Sequence, residues 1–154
     1  MVGPTAVGKT AFALDLCERV GGEIISVDSV QVYRRLNIGS AKPTEGERAR
    51  VSHHCLDLVD IHETMDAARW VERAQASIAE VRGRGLRPVL VGGTGLYLRS
   101  LIRGLAEVPP IDPEVRDRVR EEIRAHGPEE AHRRLASLDE VAASRIGSRD
   151  GQRI

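Results

Sequence analysis

The sequence predicts an α/β protein, a parallel sheet with flanking helices followed by a helical extension. Three observations carry this. Short β-branched runs alternate with amphipathic stretches through the first two-thirds of the chain, a glycine-rich turn opens directly into the first of those stretches, and after Pro109-Pro110 the pattern is helical throughout. The 154 residues fit one ordinary domain, and 41% apolar with 30% charged residues is the balance of a soluble chain with a core. With 23 basic against 23 acidic side chains the net charge is zero, so any basic surface for nucleic acid would have to be local. No apolar run approaches the roughly 18 residues of a membrane span and no leader peptide precedes the first motif. A cytoplasmic protein without a membrane partner is therefore expected. Cys17 and Cys55 lack metal-ligand spacing and read as buried reduced thiols.

The elements follow in order. Lys9 to Val20 reads as a helix with Phe12, Leu16 and Val20 on one stripe and Gly21-Gly22 ending it. Glu23 to Val27 (EIISV) is a buried strand, and Cys55 to Ile61 (CLDLVDI) alternates as a second. Asp66 to Arg82 is a helix with the apolar stripe Trp70, Ala74, Ile78 and Val81. Pro88 to Val91 (PVLV) is a third strand, running through Gly92-Gly93 into a helix from Thr94 to Arg103. Asp112 reads as an N-cap with Pro113 at the first helical position of a helix reaching Ala125, and shorter helices follow Gly127-Pro128 to Arg145. The division is a core over residues 1–108 and a helical segment over 109–154.

Gly3-Pro4-Thr5-Ala6-Val7-Gly8-Lys9-Thr10 matches G-x-x-x-x-G-K-[ST] in full, which makes the core P-loop NTPase-like. Glycines let the backbone wrap an anion, amides at the helix start point at phosphate oxygens, lysine adds a mobile charge, and Thr10 offers a hydroxyl to Mg²⁺. The PVLV strand ends in Gly92-Gly93-Thr94, with no acid where NTP-hydrolysing relatives hold Mg²⁺. The nearest strand-end carboxylate is Asp28, either a metal holder or a general base beside the phosphates, or else a loop aspartate capping a turn. Thr94 is either a plain N-cap or a hydroxyl aimed at a leaving group. Lys9 and Lys42 are the only lysines, every other basic residue being arginine, and both fall in motif segments.

Taken together, GPTAVGKT, the run from Asp28-Ser29-Val30-Gln31-Val32-Tyr33-Arg34 to Ile38-Gly39-Ser40-Ala41-Lys42-Pro43, HHCLDLVD (53–60) and LVGGTGLYL (90–98) closely resemble the tRNA dimethylallyltransferases, also called tRNA isopentenyltransferases. The resemblance runs from Gly3 to Ile154 and covers about half of the family's usual length, without the first strand and most of the C-terminal half. It implies that the P-loop binds the diphosphate of dimethylallyl diphosphate, with Lys9 in a catalytic role. The N6 amine of the adenosine 3′ of the anticodon then attacks the allylic carbon, and diphosphate leaves with Mg²⁺. By position Asp28 matches the family's general base and Thr94 its catalytic-site threonine. Asp28, Ser29, Val30, Gln31, Thr94, Arg116, Gln152 and Arg153 match tRNA-contacting positions. The target adenine must leave its stack to reach such a pocket.

Arg116, Arg120 and Arg124 form one stripe, whose other reading is a solvated face relieved by Asp112, Asp117 and Glu121. His53-His54 point to opposite faces if extended and read as structural; Trp70 reads as core, and Tyr33 and Tyr97 stay open between core and base stacking. An adenylate isopentenyltransferase, a small-molecule P-loop kinase and a helical RNA-binding module with a vestigial P-loop are the rival functions. A monomer is expected, and the chain alone is expected to turn over poorly.

Overall fold

The computed structural model describes residues 1–3, 7–105 and 111–154. It divides into two compact units, Met1–Ala106 and Glu107–Ile154. The first contains α1 (Lys9–Val20), β1 (Gly22–Val27), α2 (Glu45–Arg50), β2 (His53–His54), α3 (Ala67–Gly83), β3 (Arg87–Gly92) and α4 (Gly95–Arg103). The three strands are parallel in the order β2-β1-β3, with Ile24 and Ile25 opposite His53 and His54 on one side, and opposite Val89 and Leu90 on the other.

Alternation along β1 separates two cores. Ile24 packs with Ala13, Leu14 and Cys17 of α1 and with Val51 and Val91. Ile25 and Val27 pack with Trp70, Ala74 and Val81 of α3 and Tyr97 of α4. The sheet is therefore covered on both faces, as a parallel sheet requires. Trp70 and Tyr97 stack with ring centroids 4.7 Å apart, so both are core residues. Tyr33 packs against the same cluster, its hydroxyl accepting from the Met65 amide. The two cysteines are buried and unpaired with each other, and burial pushes both thiols up.

Two sequence expectations are corrected. The buried face of α1 is Ala13, Leu14 and Cys17, which pack with Ile24 and Val91 of the sheet, while Phe12 on the neighbouring face is 63% exposed. The second strand is not Cys55–Ile61 but His53–His54. Cys55 and Asp57 take left-handed backbone (φ 61 and 53), which ends extended pairing with β1. Residues 57–59 bond to the loop after β1 instead: the amides of Leu58 and Val59 donate to the Val32 carbonyl, and Arg34 N–H donates to Val59 O. Helix α2 is not among the elements that hydrophobic periodicity predicts, although Thr44-x-x-Glu47 spells a capping box whose reciprocal bonds the structure forms.

The residues ahead of the glycine-rich loop lie beside β3. The Met1 amine donates to Leu90 O (2.7 Å), Gly92 N–H donates to Met1 O (3.2 Å), and Val2 forms a parallel bridge with Gly92. At the C-terminal ends of the strands β1 and β3 nearly touch. A Cβ on Gly92 would stand 2.1 Å from the Val27 carbonyl oxygen, so only glycine fits. That same carbonyl accepts from both Gly93 and Thr94 amides (3.1 Å each).

The second unit contains α5 (Pro113–His126), α6 (Pro128–Leu138) and α7 (Glu140–Ser144). Asp112 caps α5 by accepting from Glu114 N–H, with Pro113 at the first position as the sequence indicated. Arg134 pairs with Glu122 across α5 and α6, and the Nε2–H of His132 donates to Ala143 and Ile146 carbonyls, tying α6 to α7. Among the described residues no helix is long and apolar enough to cross a membrane.

Gly92→Ala is expected to force β1 and β3 apart and to cost about 3 kcal/mol, the upper range of overpacking penalties. Urea denaturation of the variant against the parent chain checks it.

Candidate functional site

The strand ends, the N-terminus of α1 and the loop after β1 enclose a cavity of about 420 Å³. Gly8, Lys9 and Thr10 line one side of it, Asp28 and Gln31 another, and Gly92-Gly93 a third. Gly8 is the N-cap of α1 with φ 80, a left-handed conformation that glycine adopts without strain, and its carbonyl accepts from Phe12 N–H. Gly3 N–H donates to Gly92 O, which fastens the start of the loop to the end of β3. Lys9 and Thr10 are half-buried and Val7 is exposed; Pro4, Thr5 and Ala6 lie outside the described residues. Amides at a helix N-terminus beside a lysine suit an anion.

Asp28 stands where β1 leaves the sheet. Its Oδ1 accepts from the amides of Val30 (2.8 Å) and Gln31 (3.2 Å), an Asx turn that fixes the carboxylate, while the described contacts leave Oδ2 open. Thr94 occupies the N-cap position of α4 without capping it. Its Oγ1 accepts from Ser29 N–H (2.9 Å) and donates to Ser29 Oγ (3.3 Å). Ser29 thus joins the carboxylate segment to the threonine, and the hydroxyl is held by tertiary bonds rather than by its own helix. Ser29 and Val30 are exposed beside the cavity. The Gln31 side chain is engaged with protein atoms, accepting from Ser26 Oγ and donating to Ser40 and Ala41 carbonyls.

Thr10 and Asp28 bring hard oxygen donors to the lysine-bearing cavity, and Mg²⁺ keeps several waters and takes substrate oxygens besides one or two protein ligands. The donor set fits that ion. Among the described residues no group of three His, Cys, Asp or Glu side chains could hold a metal by itself.

Lys42 has a different task from Lys9. Its side chain is 1% exposed, and Nζ donates to Tyr33 O (2.7 Å), Asn37 Oδ1 (3.3 Å) and Asp57 Oδ1 (2.8 Å). Arg48 takes the other Asp57 oxygen at 3.0 Å and donates Nε–H to Pro43 O. This lysine pins the loop that forms the far wall of the cavity, a role its rarity in the sequence hinted at but did not define. His53 also lines the cavity, which the sequence did not indicate. Its Nδ1–H donates to Val51 O, and burial holds its pKa below the ordinary value, so the ring is neutral near pH 7. His54 turns the other way and pairs with Glu23 (2.6 Å), which also binds Arg84 (2.5 Å).

In the helical unit Arg120 and Arg124 pair with Asp117 (3.6 Å) and Glu121 (2.7 Å), the relief expected of a solvated mixed-charge face. Asp112 is used as the helix cap, and the exposed Arg116 side chain has no partner among the described residues. Gln152 is exposed, and Arg153 makes a 3.4 Å pair with Asp150.

A model of the IPP transferase family matches residues 31–154. The tRNA dimethylallyltransferase of Halorhodospira halophila is 51% identical over all 154 residues, which cover 50% of that protein. That of Sorangium cellulosum is 49% identical over the same residues and 49% of its length. The chain thus spans about half the length of the curated relatives it matches. Among solved structures, the tRNA isopentenylpyrophosphate transferase of Bacillus halodurans gives a TM-score of 0.67 at 38% identity over 99% of this chain and 50% of that one. A eukaryotic dimethylallyltransferase acting on tRNA gives 0.81 at 27% identity over 99% of this chain and 38% of that one.

Burial alone would push the Asp57 carboxyl up, but the bonds from Lys42 and Arg48 outweigh it and hold the group below its ordinary value. A depressed folded value stabilises above the unfolded pKa, about 3.9 for aspartate, and that part is lost as pH falls through the folded value. Lys42→Met is expected to cost about 1–2 kcal/mol at pH 7, a modest figure because the Asp57 side chain is 34% exposed. The gap between parent and variant should shrink below pH 4, as urea titrations at pH 7 and pH 3 would show.

Proposed function

The chain belongs to the IPP transferase family, and on that premise we propose that it forms the catalytic core of a tRNA dimethylallyltransferase working as a cytoplasmic monomer. The enzyme moves a dimethylallyl group from dimethylallyl diphosphate to the N6 amine of the adenosine 3′ of the anticodon and releases diphosphate. The observation that carries this reading is the meeting of the P-loop residues Gly8, Lys9 and Thr10 with Asp28 around one cavity, beside a β3 that ends at Gly92 and runs through Gly93-Thr94 without a hydrolytic acid.

Each residue then has a defined task. The α1 N-terminus and Lys9 hold the diphosphate and take up negative charge as the allylic C–O bond breaks. Thr10 helps hold Mg²⁺, which when bound neutralises the departing diphosphate. Oδ2 of Asp28 accepts a proton from N6 as the nitrogen bonds to carbon, while Oδ1 keeps its two amide donors so the carboxylate cannot turn away. Thr94 is held by Ser29 beside the carboxylate, and its hydroxyl reaches the leaving group on turning away from the long 3.3 Å bond to Ser29 Oγ. A kinase would need a further acid to hold its metal, and the end of β3 provides none. Val30, Arg116, Gln152 and Arg153 are assigned to the tRNA side on the resemblance alone.

Labelled dimethylallyl diphosphate, Mg²⁺, unmodified tRNA and free AMP, offered together to the full-length protein, test the reading. Label in tRNA is the expected outcome. Label in AMP alone would move the protein to the adenylate-modifying branch, and ADP formed from ATP would make it a kinase. Asp28→Asn should cut turnover about a hundredfold or more while sparing diphosphate binding, since a base acts in the transition state. Lys9→Ala should weaken diphosphate binding, measured by competition; unchanged affinity would remove the P-loop from the mechanism.

A further inference from the structure

Part of the cavity wall is built from Ser40, Ala41 and Pro43, a stretch with no helix or strand of its own. A single side-chain amide spans from this wall to the sheet. The two N–H bonds of Gln31 Nε2 go to the carbonyls of Ser40 (3.1 Å) and Ala41 (3.1 Å), and Oε1 accepts the hydroxyl of Ser26 (2.9 Å). Ser26 sits on β1 and is 3% exposed, beyond the reach of a macromolecule. The backbone N–H of the same glutamine is one of the two donors on Asp28 Oδ1. One residue therefore holds the carboxylate with its main chain and the wall with its side chain, and both amide protons are already committed within the protein.

We propose that Gln31 is a positioning residue that sets the wall at Ser40-Ala41 relative to the Asp28 carboxylate through a clamp on Ser26, rather than a contact to tRNA. The inference deepens the proposed transferase reading and rests on it. Loosening the clamp lets the reacting groups drift, and a displacement of about 1 Å from attack geometry costs turnover far more than it costs binding of a large RNA.

The test uses Gln31→Met, Ser26→Ala and the double variant in the full-length enzyme, with tRNA and dimethylallyl diphosphate varied separately. Each single variant is expected to lower kcat about tenfold or more with the tRNA KM changed less than twofold. The double variant is expected to be no worse than either, because both changes open one clamp. Ser26→Thr keeps the hydroxyl and is expected to keep the rate. A tRNA KM raised tenfold by Gln31→Met, with kcat intact and Ser26→Ala silent, would overturn the proposal and make Gln31 an RNA contact. Additive losses would overturn it as well. Should the parent protein transfer no label at all, the transferase reading fails separately. Amide hydrogen exchange over residues 40–42 then judges the clamp: faster exchange in Ser26→Ala supports it, and unchanged exchange overturns it.

Discussion

The close approach of the paired strands β1 and β3 at Val27 and Gly92 governs the rest of the site. A carbonyl that takes two amides, opposite a residue with no side chain, brings the exits of two strands together at van der Waals limits. The strand that leaves one exit delivers Asp28 and Ser29, the other delivers Thr94, and Gly3 of the P-loop is fastened to the same Gly92. Parallel sheets gather their functional loops at the carboxyl ends of strands, and this approach fixes the spacing between those loops. The chemistry proposed for Asp28 and Thr94 depends on that spacing more than on either side chain alone.

Polar bonds do at this end of the sheet what apolar packing does elsewhere. Below the strand ends, Trp70, Tyr97, Ile25 and Val27 on one face and Leu14, Cys17 and Ile24 on the other supply ordinary core contacts. Above them the loop from Asp28 to Pro43 has few buried apolar residues besides Val32 and is organised by Asp28, Gln31 and Lys42. A buried ammonium is costly unless it is paired and fully bonded, and Lys42 meets that condition with one carboxylate and two further oxygens. Arginine could not replace it here, since a planar fork needs more room than a point charge surrounded by three acceptors.

Much of this was legible in the residues. The α1 and β1 spans, the apolar stripe of α3 and the cap at Asp112 followed from periodicity and end signals, which depend on local physics. What escaped was set by tertiary contact. Cys55–Ile61 alternates as a strand should, yet it leaves the sheet because Asp57 is claimed by Lys42 and Arg48, and the neighbouring amides by Val32. The α1 stripe read through Phe12 was misplaced because sequence spacing cannot tell which of two neighbouring faces meets a tightly packed sheet. His53 and Gln31 could not be assigned from spacing alone, since their surroundings come from segments far along the chain.

Among the described residues four that are not glycine, Arg35, Ala41, Cys55 and Asp57, hold left-handed backbone, and all lie between the end of β1 and the start of α3. Each costs on the order of 1 kcal/mol against an ordinary conformation. They persist where the surroundings over-determine the chain: Gln31 binds the Ala41 carbonyl, and Lys42 and Arg48 bind Asp57. Polar bonds, more than buried apolar area, therefore set the local stability of this stretch. Val32, Cys55 and Val59 of the same stretch belong to the buried cluster under α3, so any change that frees this backbone also uncovers part of the core.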